Sequence, residues 1–409
     1  MIVAALSTIV EWYDFTLYLY FATVLARLFF GGGAGSLATA LAGFAVAYLM
    51  RPLGAVVFGH IGDRHGRRSA MLLSLAIMAA AMLATALLPT HAQVGPVAGL
   101  LLLVLRCVMS FSVGGEYTGI VAYLVEGAPL RHRGFVASCA SAASEVGALL
   151  AAAVSAVTVA SLSAAQLDSW GWRIPFLIGA ALAAAVLVAR STIEESPDFQ
   201  RQRQAATIPE RPLRHVLANH RLGILRSFAI SAFGSITYYV GITYVPAFLT
   251  SVGRTGEGQA LWLSTAAALM VIVVTPFVGA LSDRLGRRPL LIILCLLGAS
   301  LPAAMFALMA SVSGPTILIG ALTLAALGGG VSAVGAVATA EQFPGEGRLS
   351  GLAVGATSAT AIFGGLAPYV AHLLTERTGS AFIPGAMIAV VALLVLPILA
   401  LAPETRPRD

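Results

Sequence analysis

The chain has 409 residues, of which 58% are hydrophobic and 10% charged, and its formal net charge is +6. A mean hydropathy of +0.90 leaves too little polar surface to enclose the apolar side chains in water, so lipid must solvate most of the molecule. The positive charge forms short arginine clusters between apolar runs instead of a basic stripe with aromatic residues, which argues against nucleic acid as a partner.

The first thirty residues are apolar, but they have no basic start and they contain Glu11 and Asp14. We therefore interpret them as a membrane helix that is kept in the mature protein, and not as a signal peptide. At about 20 residues per span, the apolar runs predict twelve spans along the chain. These are 2–29, 36–60, 69–88, 97–126, 134–160, 173–190, 222–250, 259–281, 289–311, 315–341, 349–374 and 380–402.

The polar stretch 191–220 has six predicted spans before it and six after it. We therefore expect an N-terminal six-helix bundle over 1–190, a linker over 191–220 and a C-terminal six-helix bundle over 221–409. Arginines cluster in alternate loops, so the positive-inside rule predicts that those loops, the linker and both termini are cytoplasmic. The three cysteines lie singly inside apolar runs, which predicts neither a disulfide nor a metal site.

A charged loop motif occurs twice, as "GHIGDRHGRR" from residue 59 and as "GALSDRLGRR" from residue 279, 220 residues later. A second pair, "EGAPLRHRG" from Glu126 and "EQFPGEGRLSG" from Glu341, is separated by 215 residues and has the same Glu, Pro and Arg spacing. Two halves repeated in the same orientation are typical of secondary transporters that rock about a central site.

The repeated GxxxDRxGRR pattern resembles the major facilitator superfamily, and the resemblance extends over the whole chain. Within it, "EWYDF", "RPLGAVVFGHIGDRHGRR", "SVGGEYTG", "WGWRIPF", "EESPDF" and "PETR" are similar to the metabolite:proton symporter family. "GGEYTG" and "ITYYVGITYVPAFL" are most similar to its proline/betaine branch. The resemblance implies an all-α integral membrane protein with twelve transmembrane helices in two pseudo-symmetric halves.

The same resemblance implies a monomer in the bacterial inner membrane that carries a small organic solute, is coupled to protons and needs no cofactor. The lipid bilayer, the solute and protons are then its partners. The substrate favoured is a zwitterion such as proline or betaine, and the alternative is a di- or tricarboxylate such as oxoglutarate or citrate. Export by proton antiport is less favoured, because "SEVGALLAAAV" in span five lacks the GPxxGG pattern usual in exporters of the superfamily. HExxH and GxSxG are absent, which argues against an enzyme.

The loop motif predicts a gate. Glycines allow close helix approach, Gly66 permits a tight reversal, and Asp63 is placed to accept hydrogen bonds from the N-terminus of a neighbouring helix. Arg67 is expected to pair with Glu126, and the alternative reading is a topology anchor with a tight turn. The predicted gating residues are Gly59, Asp63, Arg64, Arg67, Glu126, Arg133, Asp283, Arg287, Glu341 and Arg348.

Ionisable groups at membrane depth are costly and therefore mark functional sites. At 1.5 Å per residue, Glu116 lies about 15 Å inward from Glu126, near the midplane, and Glu145 is expected at a similar depth. As proton carriers we rank Asp14 and Glu116 first and Glu11 next, whereas Glu145 has no place in the family pattern. The resemblance makes Arg106 the arginine of proton coupling. The alternative is that these acids only satisfy hydrogen bonds between helices.

The N-terminal half has four deep acids, Glu11, Asp14, Glu116 and Glu145, and one clear base, Arg106. This balance of charge favours a zwitterionic substrate over a dianion. Tyr238, Tyr239 and Tyr244 suit an ammonium group by cation–π contact, although packing or an interface belt explains them equally well. His372 is expected to be structural, with external pH sensing as the minority reading. The predicted substrate-binding residues are Trp12, Tyr13, Arg106, Tyr117, Glu145, Tyr238 and Tyr239.

Overall fold

The computed structural model describes residues 2–33, 36–252, 257–311 and 314–406, and all regular structure in these residues is helical. Ten helices within them are long and apolar enough to cross a membrane. The two further predicted spans, 2–29 and 222–250, are helical with interruptions. Each of the twelve predicted spans thus coincides with one or more helices, and the expected all-α membrane fold is confirmed.

The chain forms two compact units. One comprises Met1–Tyr123 with Ala143–Arg211, and the other comprises Leu124–Ala142 with Pro212–Asp409. Residues 124–142 belong to the first half of the sequence but to the second unit. The division expected at the linker 191–220 stays a prediction.

Helices of the first unit follow the order of the predicted spans. They are α1 (Ile2–Tyr20), α2 (Ala22–Phe29), α3 (Ser36–Tyr48), α4 (Met50–His65), α5 (Arg67–Ala86), α6 (His91–Val94), α7 (Val97–Val113), α8 (Glu116–Gly127), α9 (Arg133–Ser161), α10 (Ala164–Gln166), α11 (Arg173–Ser191) and α12 (Pro197–Gln204). A 3₁₀ turn (Leu130–His132) precedes α9, a π-helical turn (Leu167–Gly171) precedes α11, and α8 and α9 extend into the second unit.

The second unit contains the remaining helices. They are α13 (Pro212–Asn219), α14 (Arg221–Tyr238), α15 (Val245–Ser251), α16 (Glu257–Leu285), α17 (Arg287–Ser311), α18 (Pro315–Ala340), α19 (Arg348–Leu352), α20 (Ser358–Thr360), α21 (Ala367–Thr378) and α22 (Ile383–Ala400). Its core is formed by apolar side chains of α14, α17, α18 and α22, whose helices pack on one another.

Small residues bring α4 and α7 together in the first unit. A Cβ on Gly54 would collide with the carbonyl oxygen of Phe111, and a Cβ on Gly114 would collide with the carbonyl oxygen of Arg51. Such reciprocal contacts need glycine because the two backbones touch directly. The crossing fixes the backbone position of Arg51.

π-helical turns interrupt two spans of the second unit. Tyr239–Thr243 separates α14 from α15, while Ala353–Thr357 and Ala361–Leu366 flank α20. Tyr239 packs on Gly364, where an added Cβ would lie 2.8 Å from Tyr239 Cε2. The wide turns of spans seven and eleven therefore face each other, and π turns of this kind occur frequently at functional sites.

Glycines with positive φ end the second and eighth spans. Gly66 has a φ of 108° and Gly286 a φ of 101°, values that side-chain-bearing residues rarely adopt. Each lies between the last residue of one helix and the first residue of the next. The tight reversal expected at Gly66 is confirmed, and its repeat has the same conformation.

Candidate functional site

A buried ion pair connects α1 with α7. Both Asp14 carboxylate oxygens accept hydrogen bonds from the Arg106 guanidinium, over 2.7 and 3.1 Å. The two side chains are each 4% exposed, and the Arg106 guanidinium lies 5.3 Å from the centre of the Tyr18 ring. The bidentate geometry fixes both groups and is the strongest form of this interaction.

Glu116 lies in a second buried cluster, built from α1, α5, α8 and α11. Its Oε1 accepts a hydrogen bond from Arg190 over 2.6 Å, and its Oε2 accepts one from the Ser74 hydroxyl. Arg190 also donates to Ser7 Oγ and to the Met71 carbonyl oxygen. Because both carboxylate oxygens are satisfied inside one unit, this geometry suits a structural role.

Glu11 is the third deep acid, and its ion pair is longer than those of Asp14 and Glu116. Arg51 Nη1 lies 3.4 Å from Glu11 Oε1, and the guanidinium stacks on Tyr48 and Phe15 with distances of 4.6 and 5.2 Å to the ring centres. The Arg51 side chain is 13% exposed.

These pairs correct the charge count. Asp14, Glu116 and Glu11 each have an arginine partner, so the bundle does not set its acids against Arg106 alone. Glu145 is also buried. The net negative charge that was expected from the deep acids is therefore no argument against an anionic solute. Arg51 and Arg190 were not predicted as site residues, although both fall inside predicted spans, where an arginine indicates a functional site.

The predicted substrate-binding aromatic residues have different surroundings. Tyr13 is fully buried, and its hydroxyl donates to the Pro175 carbonyl oxygen over 2.8 Å, so its role in substrate binding stays a prediction. Tyr239 is also buried, against Gly364, whereas Trp12, Tyr117 and Tyr238 are half-buried.

The second copy of the loop motif forms a hydrogen-bonded cluster. Asp283 Oδ1 accepts from the Gly134 backbone N–H over 2.8 Å and Oδ2 from that of Phe135 over 2.9 Å, at the first turn of α9. A carboxylate at this end of a helix is stabilised by the macrodipole. Arg287 pairs with Asp283 over 2.9 Å and with Glu341 over 3.3 Å.

A further ion pair lies within the second unit. Arg348 at the start of α19 contacts Glu126 near the end of α8 over 2.8 Å. Together with the Asp283 contacts, it joins spans four and five to spans eight and eleven. The sequence places these spans in different halves, which explains why 124–142 clusters with the second unit.

In the first copy of the motif, Arg67 pairs with Asp63 over 3.0 Å and donates to the Gly62 carbonyl oxygen over 2.7 Å. Gly59 is buried, Arg64 exposed and Arg133 half-buried. The expected pair of Arg67 with Glu126 would join residues of different units and stays a prediction.

Two glutamates, which the sequence analysis quoted only within motifs, cap the helices that follow the loop motifs. Glu195 accepts from the Arg68 backbone N–H over 3.2 Å, and Glu404 accepts from that of Arg287 over 2.8 Å and that of Arg288 over 3.0 Å. Arg68 in turn donates to the Ser191 carbonyl oxygen and Arg288 to that of Ala400. "EESPDF" and "PETR" are therefore one repeated capping element. No group of three potential metal ligands occurs in the described ranges.

Comparison with known proteins identifies similar sequences and a similar fold. Residues 1–216 match the family "Sugar (and other) transporter", and residues 254–409 match "Major Facilitator Superfamily". The proline/betaine transporter of Salmonella typhimurium is 32% identical over 96% of this chain and 81% of its own length. The alpha-ketoglutarate permease of Escherichia coli is 33% identical over 90% of this chain and 85% of its own length.

The citrate-proton symporter of Klebsiella pneumoniae is 31% identical over 92% of this chain and 85% of its own length. Among solved structures, the proton:xylose symporter XylE bound to 6-bromo-6-deoxy-D-glucose superposes with a TM-score of 0.83. The superposition covers 99% of this chain and 95% of XylE at 20% identity, a level that speaks for the fold alone.

Proposed function

Because the chain belongs to the major facilitator superfamily, we propose that it imports a small zwitterionic solute such as proline or betaine together with a proton, by alternating access. Members of this superfamily are transporters and not enzymes. The observation that carries the proposal is the buried Asp14–Arg106 pair, since an ionisable acid and base at membrane depth mark a proton or substrate pathway.

Energetics allow such an importer to accumulate its solute. One proton that enters with a net-neutral solute contributes about 2.3 kcal/mol per 100 mV of membrane potential. A pH difference adds about 1.4 kcal/mol per unit. Protons are then the coupling ion, and no cofactor enters the proposal.

The proposed orientation follows the positive-inside rule, with the loop motifs, the linker and both termini in the cytoplasm of a bacterial cell and the spans in its inner membrane as a monomer. The Asp283 contacts to α9 and the Glu126–Arg348 pair then lie on the cytoplasmic side. We assign them to a gate that closes this side and separates when the solute is released inward. Asp63, Arg67, Arg287 and Glu341 belong to the same gate.

A carboxylate is the second candidate substrate. Relatives named for alpha-ketoglutarate and citrate are as similar to this chain as those named for proline and betaine. The arginine partners of the deep acids also remove the charge argument against an anion.

Uptake into proteoliposomes tests the proposal. We expect an inward proton gradient to drive uptake of radiolabelled proline or betaine, and collapse of the gradient by a protonophore to abolish accumulation. Competition with unlabelled oxoglutarate and citrate separates the two substrate classes. Inhibition by these acids, with none from betaine or proline, would overturn the zwitterion and leave the symporter.

A further inference from the structure

We propose that Glu11 and Arg51 form the site at which solute and proton are coupled, with Arg51 binding the carboxylate of the solute while Glu11 takes up the proton. The inference rests on the proposed proton symport, and it applies to zwitterions and to carboxylic acids alike because both carry a carboxylate.

Arg51 is the arginine best placed to bind a solute. Arg106 is held by both oxygens of Asp14, and Arg190 contacts Glu116, Ser7 and Met71. Arg51 has a longer ion pair, of 3.4 Å, and its side chain is 13% exposed, against 4% for Arg106 and 1% for Arg190. A guanidinium presents a planar fork that matches a carboxylate.

The location of Arg51 is that of a transport site. It lies nine residues before the end of the predicted span 36–60, or about 14 Å at 1.5 Å per residue, which is close to half of the roughly 30 Å hydrocarbon core. Close contact of α4 with Gly114, the residue that follows α7, fixes its backbone. The stacking on Tyr48 and Phe15 orients the guanidinium, so little side-chain freedom is lost on binding.

Glu11 is the deep acid whose hydrogen bonding is incomplete. It is 2% exposed, and its Oε2 has no hydrogen-bond partner among the described residues. Asp14 and Glu116, in contrast, accept hydrogen bonds on both oxygens. A buried carboxylate oxygen without a hydrogen-bond partner carries a desolvation cost, which binding of a proton to the carboxylate reduces. This places Glu11 ahead of Asp14 and Glu116 as proton carrier.

The two residues couple proton and solute through one interaction. A proton on Glu11 cancels its attraction for Arg51, and the guanidinium is then available to the solute carboxylate. Loss of the solute returns Arg51 to Glu11 and favours release of the proton. Arg51 on α4 and Glu116 on α8 are charged groups whose fields reach Glu11. Asp14 on the same helix is paired with Arg106, and Glu145 is buried on α9, which packs on α1. Glu116 is neutralised by Arg190, so Arg51 controls the exchange.

The test measures solute binding and two modes of transport in the full-length protein, with betaine, proline and oxoglutarate as probes and choline as a probe without a carboxylate. For a carboxylate probe, the wild-type Kd should rise with pH, by up to about tenfold per pH unit where one proton is linked to binding. Glu11→Gln imitates the protonated acid, so its Kd should change less than about twofold over the same range.

Transport assays should distinguish Glu11→Gln from the other variants. We expect this variant to lose uptake driven by a pH gradient but to keep exchange of labelled for unlabelled solute, which needs no net proton movement. Arg51→Lys should weaken binding of carboxylate probes about tenfold or more, because an ammonium lacks the planar fork. Glu376→Gln, a matched change on an exposed side chain of α21, should behave as wild type.

Wild-type pH dependence of Kd in Glu11→Gln, or transport of choline in preference to the carboxylate probes, would overturn the inference. Transport of oxoglutarate instead of betaine and proline would overturn only the zwitterion proposal. Should Glu11→Gln fail to fold, proton uptake by the wild-type protein on addition of solute, in weakly buffered detergent solution, decides instead. About one proton per solute bound is expected, and none would contradict the coupling.

Discussion

At the scale of single residues, the same pairing of acid with arginine has different consequences at different depths of burial. Glu116 and Arg190 are each 1% exposed, while Arg27 and Asp168 are 48% and 34% exposed. Removing one partner of a buried pair leaves an uncompensated charge and costs about 3–5 kcal/mol. An exposed pair contributes about 0–1 kcal/mol because water screens it.

Arg190→Ala should therefore lower the free energy of unfolding by about 3–5 kcal/mol, and Arg27→Ala should lower it by less than about 1 kcal/mol. Denaturant unfolding in a mild detergent, followed by tryptophan fluorescence, measures both. If Arg190→Ala unfolded at the same denaturant concentration as wild type, the Glu116 cluster would not be a structural element.

Replacement of Asp14 should affect transport differently from replacement of Glu11. Asp14→Asn leaves the buried Arg106 without its bidentate partner, so we expect gradient-driven uptake and solute exchange to fall together, by tenfold or more. Initial rates of both in proteoliposomes provide the measurement. Exchange at the wild-type rate alongside lost gradient-driven uptake would instead make Asp14 the proton carrier.

Residue partners were the part of the site that the sequence did not reveal. The positions of Asp14 and Arg106 in apolar spans marked both as functional, but nothing in their spacing said that they meet. Contact between helices depends on the rotation of each helix about its axis, which the loops and the packing of the bundle determine. The same reason hid Arg190 as the partner of Glu116, and the burial of Tyr13 against span six.

At the scale of elements, the capping of α5 by Glu195 and of α17 by Glu404 is one device used twice. A helix N-terminus exposes backbone N–H groups without partners, and a carboxylate that accepts from them also neutralises the positive end of the dipole. The repeated loop motif predicted helix starts at these places. The caps come from more than a hundred residues away in the chain, so local patterns gave no sign of them.

Glu195→Ala and Glu404→Ala should each lower the free energy of unfolding by about 0.5–2 kcal/mol, the usual cost of losing an N-terminal cap. Because the two caps lie in separate units, the double variant should show the sum within about 0.5 kcal/mol. Glu376→Ala, at an exposed site on α21, is the matched control. Thermal unfolding with a thiol-reactive reporter of the buried Cys295 follows the transition. A loss no larger than that of the control would show that the caps are dispensable.

At the scale of the whole molecule, contacts from α8 and α9 to α16 and α19 tie segments from the two sequence halves together. The duplicated motifs predicted that Asp283, Arg287 and Glu341 act as a group, and the structure brings them together. The partners Gly134 and Phe135 lie at the start of α9, where only Arg133 was predicted from the sequence.

Asp283→Asn and Arg348→Ala should shift the molecule toward the state in which the proposed gate is open. We expect transport to slow about tenfold or more while solute still binds, because the change acts on an equilibrium between states and not on a solute contact. Arg284→Ala, a change at an exposed side chain of the same loop, is the control. Uptake rates paired with Kd values separate the two effects. Normal transport in both variants would reduce the motif to a topology anchor.

The π-helical turns of spans seven and eleven also determine where the chain can tolerate the deletion of a residue. Deleting a residue from an ordinary α-helical span rotates everything beyond it by about 100° and turns its buried face away from its neighbours. A π turn already holds one residue more than the α-helical ladder requires, so a deletion there restores the ladder and spares the flanking register. In a scan of single-codon deletions, survivors should therefore concentrate within 239–243, 353–357 and 361–366, with transport altered but insertion into the membrane retained.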